Sequence, residues 1–446
     1  MEKKRSSFTS KLGFVLAAAG SAVGLGNIWR FPYLAAEYGG GMFLLVYIIL
    51  AITFGFALMV AEIGLGRKTG LSAIGAFKAL NKKFTFVGYL VALVPAIILP
   101  YYSVIGGWVL KYLAAFLSGG GKSAAVDGYF GGFVGTVGEP VIWFTIFLGV
   151  TMLVLVFGVD KGIERASKIM MPILFILTII VAGYALTIDG ALEGVKYYLV
   201  PDFSHFSIKT VIAAMGQLFY SMSLAMGIMI TYGSYMKKDV DIEKAVHQIE
   251  IFDTGFALLA GLMIVPAAYV FTGGEVGQGP SLMFSTLPKV FEQMIGGQII
   301  GAMFFVLVLF AALTSSISLA ETVVSIIVDK LHWNRRATIG IVFVGAELLG
   351  LASCFGFNIW SNVKLLGQDD LLSFFDYLSN SIIMPIVAFL TCIVIGYVVK
   401  PRAISEEVEL NGKFKGKKLF EIMIKFVAPV CLVLILLSSL GVFGKL

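Results

Sequence analysis

Apolar residues in this chain fall into long uninterrupted blocks, not an alternating or one-faced pattern, and short polar stretches separate the blocks. About 20 such residues in a helix cross the roughly 30 Å hydrocarbon core of a bilayer. About eleven blocks approach or exceed that length. They lie near 12–34, 41–66, 87–117, 141–157, 166–187, 210–235, 248–272, 297–328, 337–356, 371–399 and 419–443. The longest connections, 118–140, 188–209 and 273–296, have room for short helices. Two blocks depart from the pattern. "GSAVGLGNIWRFPY" at 20–33 sets glycines, a proline, Asn27 and Arg30 inside the first. "QLFYSMSLAMGIMITYGSY" at 217–235 sets Ser221, Ser223 and Gly227 inside the sixth.

Composition turns the blocks into membrane spans. A soluble domain is about 25% charged, whereas this chain is 13% charged and 59% hydrophobic. It reads as an all-α polytopic membrane protein. With the N-terminus inside, the tail and inner loops hold 24 Lys and Arg and the outer side holds six, while Arg30, Lys111 and Lys425 fall within spans. That bias predicts a cytoplasmic N-terminus and an extracytoplasmic C-terminus. It also explains the net charge of +6 through the inner leaflet, with no nucleic-acid partner. "MEKKRSSFTSKLG" lacks a cleavage site after a short apolar core and reads as a tail, not a signal peptide.

Other chemistries find little support. Cys354, Cys392 and Cys431 lie in apolar runs and imply neither a disulfide framework nor a metal cluster. "SGGGKS" at 118–123 is no phosphate loop, because Phe116 stands where that motif needs glycine. His205, His247 and His332 sit far apart near span boundaries, which leaves an embedded enzyme without a catalytic group.

Backbone that leaves the helix at membrane depth persists only where protein buries it or where it lines a cavity. Interrupted segments five spans apart point to an inverted-repeat transporter with a midplane site, half-helix ends facing the ions. Small residues also serve close helix packing, and either segment alone reads as well that way. The pair, with Asn27 and Arg30 in the first, favours the transporter. A channel would line one continuous pore or repeat one filter about an axis.

"SAVGLGNIWRFPYLAAEYGGGMF" (21–43), "KGIERASKIMMP" (161–172), the 217–235 segment and "AALTSSISLAE" (311–321), in that order, closely resemble the neurotransmitter:sodium symporters, bacterial LeuT-like branch. The resemblance implies one transporter domain over 1–446 with a LeuT-like fold. A first five-helix repeat would cover 12–187, a second, inverted repeat 210–399, and an eleventh helix 419–443. It further implies sodium-coupled uptake of an amino acid or related amine by alternating access. The setting would be a bacterial inner membrane, with a second copy of the chain as a candidate partner.

Sodium is a hard cation that takes oxygen ligands, and the resemblance implies two sites. One uses the Ala22 carbonyl, Asn27, Ser221, Asp253 and the substrate's carboxylate. The other uses the carbonyls of Gly20, Val23 and Ala311 with the hydroxyls of Thr314 and Ser315. Hydroxyls in a span also bond back to their own preceding turn, which is the alternative for Thr314 and Ser315, but the freed backbone at 20–23 beside them favours sodium. Asp253 stands where many members have asparagine, and Ala257 where some have glutamate. A carboxylate inside a span is functional by default. Asp253 is therefore expected to ligate sodium, to make transport chloride-independent, and to offer a group that protonates once sodium leaves.

Gly24 occupies the position where the monoamine branch has aspartate, so the substrate is expected to bring its own carboxylate. The helix-end amides around Gly24 and Gly26, Tyr102 and the first sodium would hold it. Ser21, Ala22, Ile98, Tyr220, Ser221, Ser223, Met226, Ser316 and Leu319 would complete the pocket. None is charged, and methionine adapts its shape, so a neutral, largely apolar or aromatic side chain is expected. Ala225 replaces a common glycine and is expected to stiffen the break or trim the pocket. Tyr102 and Tyr220 are expected as a lid, with plain packing as the alternative.

The resemblance also implies gates. Arg30 and Asp376, with Gln217, form the outer one. Arg5, Asp329 and Tyr235 form the inner one, with Phe8 packed behind in place of a tryptophan. Attraction to lipid headgroups is the alternative for Arg5. Glu62 is expected to accept hydrogen bonds from unwound backbone. Gly162 and Pro172 bracket an expected unwinding of the fifth span that admits water to the second sodium. The nearest rival is a sodium-independent exchanger on the same scaffold, against which Thr314, Ser315 and Asp253 argue.

Overall fold

The computed structural model describes residues 6–272 and 280–442. Among them, nine continuous helical stretches have the length and composition to cross a membrane: Gly41–Thr69, Lys82–Leu117, Gly138–Val156, Val159–Ala185, Ile242–Phe271, Gly297–Leu331, Arg335–Phe355, Leu371–Val398 and Lys417–Ser439. They are spans 2 to 5 and 7 to 11. Span 1 is a pair, Lys11–Ala22 and Gly26–Glu37, bent by 53° at its break. Span 6 is likewise two helices, Ile208–Ser221 and Ile228–Tyr235. All eleven expected blocks are therefore helical, and the two that looked interrupted are the two that break. The side carrying the N-terminus is called inner below.

Each break has a local cause. In span 6, Ser223, Ala225 and Gly227 have φ of +52°, +60° and +73°. Left-handed residues cannot continue a right-handed helix, and for serine and alanine they carry strain. In span 1 the helix stops where Val23 turns extended, and a π-helical turn, Gly26–Arg30, restarts it. Pro32 lies farther along the same helix, where its missing N–H leaves a carbonyl of the π-helical turn without its helical donor. Residues 13–22 are all buried, so the inner half of span 1 is enclosed by protein.

Span 5 departs from expectation. Its only irregular part is the π-helical turn Val159–Glu164 after Gly158, and the helix Arg165–Ala185 runs on through Pro172. No gap opens between Gly162 and Pro172; a span tolerates the proline because neighbouring groups re-satisfy the freed carbonyl. Short helices Gly121–Ala124, Tyr129–Gly135, Ala191–Leu199 and Leu287–Gln293 occupy the outer connections.

Candidate functional site

The two breaks face one another across a small cavity of about 30 Å³. Ser21, Ala22, Gly24, Leu25, Gly26 and Asn27 line it from span 1, and Tyr220, Ser223, Met226 and Ile228 from span 6. Ile98 and Tyr102 of span 3 and Ser315 and Leu319 of span 8 close it. Among the described residues no charged side chain lines it. The breaks are bonded directly: Ser21 Oγ donates to Ser223 Oγ at 3.1 Å, and Ser223 Oγ donates to the Ser21 carbonyl at 2.9 Å. Gly26 has no room for a side chain, because a Cβ there would collide with the Tyr220 ring.

Two residues expected at the substrate stand off the cavity. Ser316 accepts a 3.1 Å hydrogen bond from Thr151 of span 4, and Ser221 turns to Asp253. Ala225 does not line the cavity either. Its amide donates to Glu62 Oε1 at 2.7 Å, so Glu62 braces the unwound backbone. Leu25, Asn27, Ile228 and Ser315 line the cavity beyond the expected set.

Asp253 is fully buried beside Asn27 and Ser221, which are buried as well. Its Oδ1 accepts from Asn27 Nδ2 and from Ser221 Oγ, both at 2.8 Å, and its Oδ2 accepts from the Tyr47 hydroxyl at 3.3 Å. Asn27 Oδ1 accepts from the Gly24 amide at 3.0 Å. Among the described residues no Lys or Arg pairs with Asp253. Burying an unpaired carboxylate is expensive. The inner half of span 1 ends here too, so its last-turn carbonyls and the negative end of its dipole lie beside the cavity. The oxygens of Asp253, Ser221, Asn27 and Ala22 suit a hard cation.

Around the second expected ion, Thr314 Cβ lies 3.3 Å from where a Cβ on Gly20 would sit. Ser315 Oγ donates to the Ser21 carbonyl at 3.1 Å. Thr314 Oγ1 donates to its own helix, to the Phe310 and Ala311 carbonyls at 2.9 and 3.1 Å. Gly20, Ala311, Thr314 and Ser315 thus meet where spans 1 and 8 touch, with Val23 just beyond and buried.

On the outer side, Arg30 and Asp376 line a vestibule of about 370 Å³ together with Tyr220. They form no direct ion pair. Arg30 lies over the Tyr220 ring, 5.6 Å from its centroid, while Asp376 accepts from Tyr101 at 3.1 Å and Asn380 at 2.6 Å. Tyr220 therefore stands between vestibule and cavity. Gln217 Nε2 donates to the Gly26 carbonyl at 3.0 Å and holds the break, and Tyr102 accepts from the Leu25 amide at 3.4 Å.

The inner side is tightly bonded. The Phe8 amide donates to the Tyr235 carbonyl at 3.1 Å, and the Phe8 ring packs edge-on against Phe14 and Tyr232. The Tyr235 hydroxyl donates to Glu321 Oε1 at 2.7 Å. Arg335 grips both oxygens of that fully buried carboxylate, at 2.9 and 2.5 Å. Asp329 accepts from the Ser72 amide at 2.8 Å. Arg5 lies outside the described residues. Glu321 and Arg335 escaped the sequence reading, although Glu321 closes the "AALTSSISLAE" segment two turns beyond Thr314.

The profile of the sodium:neurotransmitter symporter family matches residues 5–120 and 131–446. An uncharacterized sodium-dependent transporter of Bacillus subtilis is 36% identical, over 99% of this chain and 99% of its own length. One of Haemophilus influenzae is 35% identical, over 98% of this chain and 99% of its own. The crystal structure of MhsT in complex with L-phenylalanine matches with a TM-score of 0.88 at 36% identity, covering 98% of this chain and 100% of that one.

Proposed function

The chain belongs to the sodium:neurotransmitter symporter family, and we propose that it carries a neutral, largely apolar or aromatic amino acid inward with sodium and without chloride. The fold is of LeuT type, in a multi-pass membrane protein. The observation that carries the reading is Asp253: a fully buried carboxylate, bonded to the cavity-lining Asn27 and without a cationic partner among the described residues. Sodium beside Asp253 compensates that charge and draws the substrate's own carboxylate toward the amides that begin Gly26–Glu37. A protein carboxylate already supplies the fixed negative charge, so no chloride is needed.

The cavity has an uncharged lining that includes Ile98, Met226 and Leu319, and the L-phenylalanine in the MhsT complex supports an aromatic or large aliphatic occupant. Met226, Ile98 and Leu319 would pack on its side chain. Tyr220 and Tyr102 act as the lid that separates it from the vestibule. The reading takes two sodium ions, the second between Gly20, Val23, Ala311, Thr314 and Ser315. It divides the chain into inverted repeats at 12–187 and 210–399. It also sets the N-terminus in the cytoplasm of a bacterium, on the strength of the Lys and Arg bias.

The test is uptake of labelled neutral amino acids by purified protein in proteoliposomes, with sodium or potassium outside and with chloride or gluconate. Uptake that needs sodium and ignores chloride is expected. Uptake indifferent to sodium would overturn both ion sites, and a requirement for chloride would overturn the role of Asp253.

A further inference from the structure

Span 2 grips the inner half of span 6 at both ends. At the break, Glu62 accepts the Ala225 amide at 2.7 Å. Past the other end, Arg67 donates to the Val240 carbonyl, just before span 7 begins. Between these grips the helices run backbone against backbone. A Cβ on Gly66 would collide with the Ile230 carbonyl, and one on Gly233 with the Ile63 carbonyl.

Arg67 is held in turn from a third direction. Its Nε lies 2.9 Å from Glu407 Oε1, and its Nη2 donates to the Glu407 carbonyl. Glu407 belongs to the short helix Arg402–Glu409, in the inner connection between spans 10 and 11. Lys238, in the link from span 6 to span 7, closes the ring: its Nζ lies 2.7 Å from Glu407 Oε1 and 3.0 Å from the Arg67 carbonyl. Asn411 Nδ2 adds a bond to the Lys238 carbonyl. Further along the same connection, the Lys415 and Gly416 amides donate to Glu243 of span 7, at 2.9 and 2.7 Å. The Arg67 side chain is 0% exposed and that of Glu407 6%, whereas that of Lys238 is 61% exposed.

We propose that Arg67, Glu407 and Lys238 form a clamp through which the connection between spans 10 and 11 positions the inner half of span 6, and with it the gate residue Tyr235. Tyr235 is the last residue of Ile228–Tyr235, and the clamp fixes the five residues that follow it. A buried arginine–carboxylate pair is geometrically specific. Here it joins segments 340 positions apart that no local interaction would bring together. With the clamp closed, the Tyr235 hydroxyl stays aimed at Glu321. With it loosened, the inner half of span 6 drifts and the closed inner gate loses population to the open one. The clamp is thus a positioning device for transport. Only this consequence rests on the proposed function, since the restraint itself is testable with no sodium or amino acid present.

The test compares the full-length protein with Lys238→Ala, Glu407→Gln and Lys238→Arg by hydrogen exchange in nanodiscs without sodium. Lys238 is exposed, so its removal leaves the buried pair intact and the fold secure; Glu407→Gln probes the pair itself. Exchange over 228–240 is expected to quicken about fivefold or more in Lys238→Ala and Glu407→Gln. It is expected to remain unchanged over 335–355, and Lys238→Arg is expected to restore the slow rate. In proteoliposomes the same two variants should need about threefold or more extra sodium for half-maximal uptake. Wild-type exchange over 228–240 in Lys238→Ala overturns the clamp, as does quickening shared equally by 335–355. Quickened exchange with unchanged half-saturating sodium and turnover overturns its role in gating. Uptake that ignores sodium in the wild type counts against the transport reading and leaves the exchange result to decide the clamp.

Discussion

Glu62 and Ala225, 163 positions apart, are joined by a 2.7 Å hydrogen bond from a left-handed backbone amide to a buried carboxylate. The bond settles an amide that the break of span 6 removes from the helical ladder. Replacing Glu62 by alanine leaves that amide buried and unpaired, at about 1–3 kcal/mol. Glu62→Ala is expected to lower the thermal unfolding midpoint and abolish uptake. Glu62→Gln, whose carbonyl still accepts, should keep most of both. Buried Cys354 and Cys392 offer a thiol-reactive dye a readout of unfolding. Equal behaviour of the two variants would mean that the acceptor is not what matters.

Ala225 itself yields a second prediction. Alanine at φ +60° carries about 1–2 kcal/mol of strain that glycine avoids. Glycine's freer unfolded chain takes back about 0.4–1 kcal/mol. Ala225→Gly should therefore raise the unfolding midpoint slightly. Because the methyl does not line the cavity, selectivity between aromatic and aliphatic amino acids should stay within about twofold by this same strain-only argument. A larger change in selectivity would return Ala225 to the pocket.

Much of this arrangement is legible in the sequence, because membrane burial leaves few reasons for polar and small residues. Asn27, Arg30, Ser221 and Ser223 stand out against their apolar blocks, and both segments do break. Asp253 stands out likewise. Other relationships leave no such mark. Glu321 does lie inside the eighth block, but Arg335 looks like an ordinary charge at a span boundary, and nothing in their spacing of 14 predicts that they meet. Arg67 and Glu407 are further apart still. Pro172 is the converse case: proline predicts a disturbed helix, and in this conformation span 5 stays regular through it and is irregular at 159–164, which includes Gly162. Ser316 lies on the expected helix, but its hydroxyl meets Thr151, a contact set by how spans 4 and 8 pack.

Asp253→Asn tests the charge at the proposed first ion site. Asparagine keeps an oxygen and most of the hydrogen-bonding shape around Asn27 and Ser221 while removing the negative charge. Charged hydrogen-bond partners are worth about 1.5–3 kcal/mol, so half-saturating sodium should rise about tenfold or more. The fold should survive, since an unpaired buried charge disappears with the substitution. Sodium titrations of uptake across several concentrations decide it, and an unchanged sodium requirement would separate Asp253 from the ion.

Tyr235→Phe and Glu321→Gln probe the inner gate from its two ends. The tyrosine hydroxyl donates to a carboxylate that Arg335 holds by both oxygens. Tyr235 lies on a broken helix, whereas Glu321 and Arg335 lie on the continuous spans 8 and 9, so on the proposed reading the O–H···O bond is one link that parts when the inner side opens. Losing a hydrogen bond to a charged acceptor is worth about 1.5–3 kcal/mol, enough to shift the closed-to-open ratio about ten- to a hundredfold. Phenylalanine keeps the ring packed on Phe8, so Tyr235→Phe should open the inner side without unfolding it. Hydrogen exchange over the inner half of span 1 should quicken, and sodium should be held less tightly. Glu321→Gln should do the same more weakly, because an amide still accepts, but it also leaves Arg335 without its carboxylate. The double variant should add little to Tyr235→Phe in exchange, since both changes act on one shared bond, which Tyr235→Phe already removes. Additive effects would show that Glu321 keeps the gate closed through Arg335 and not through the tyrosine.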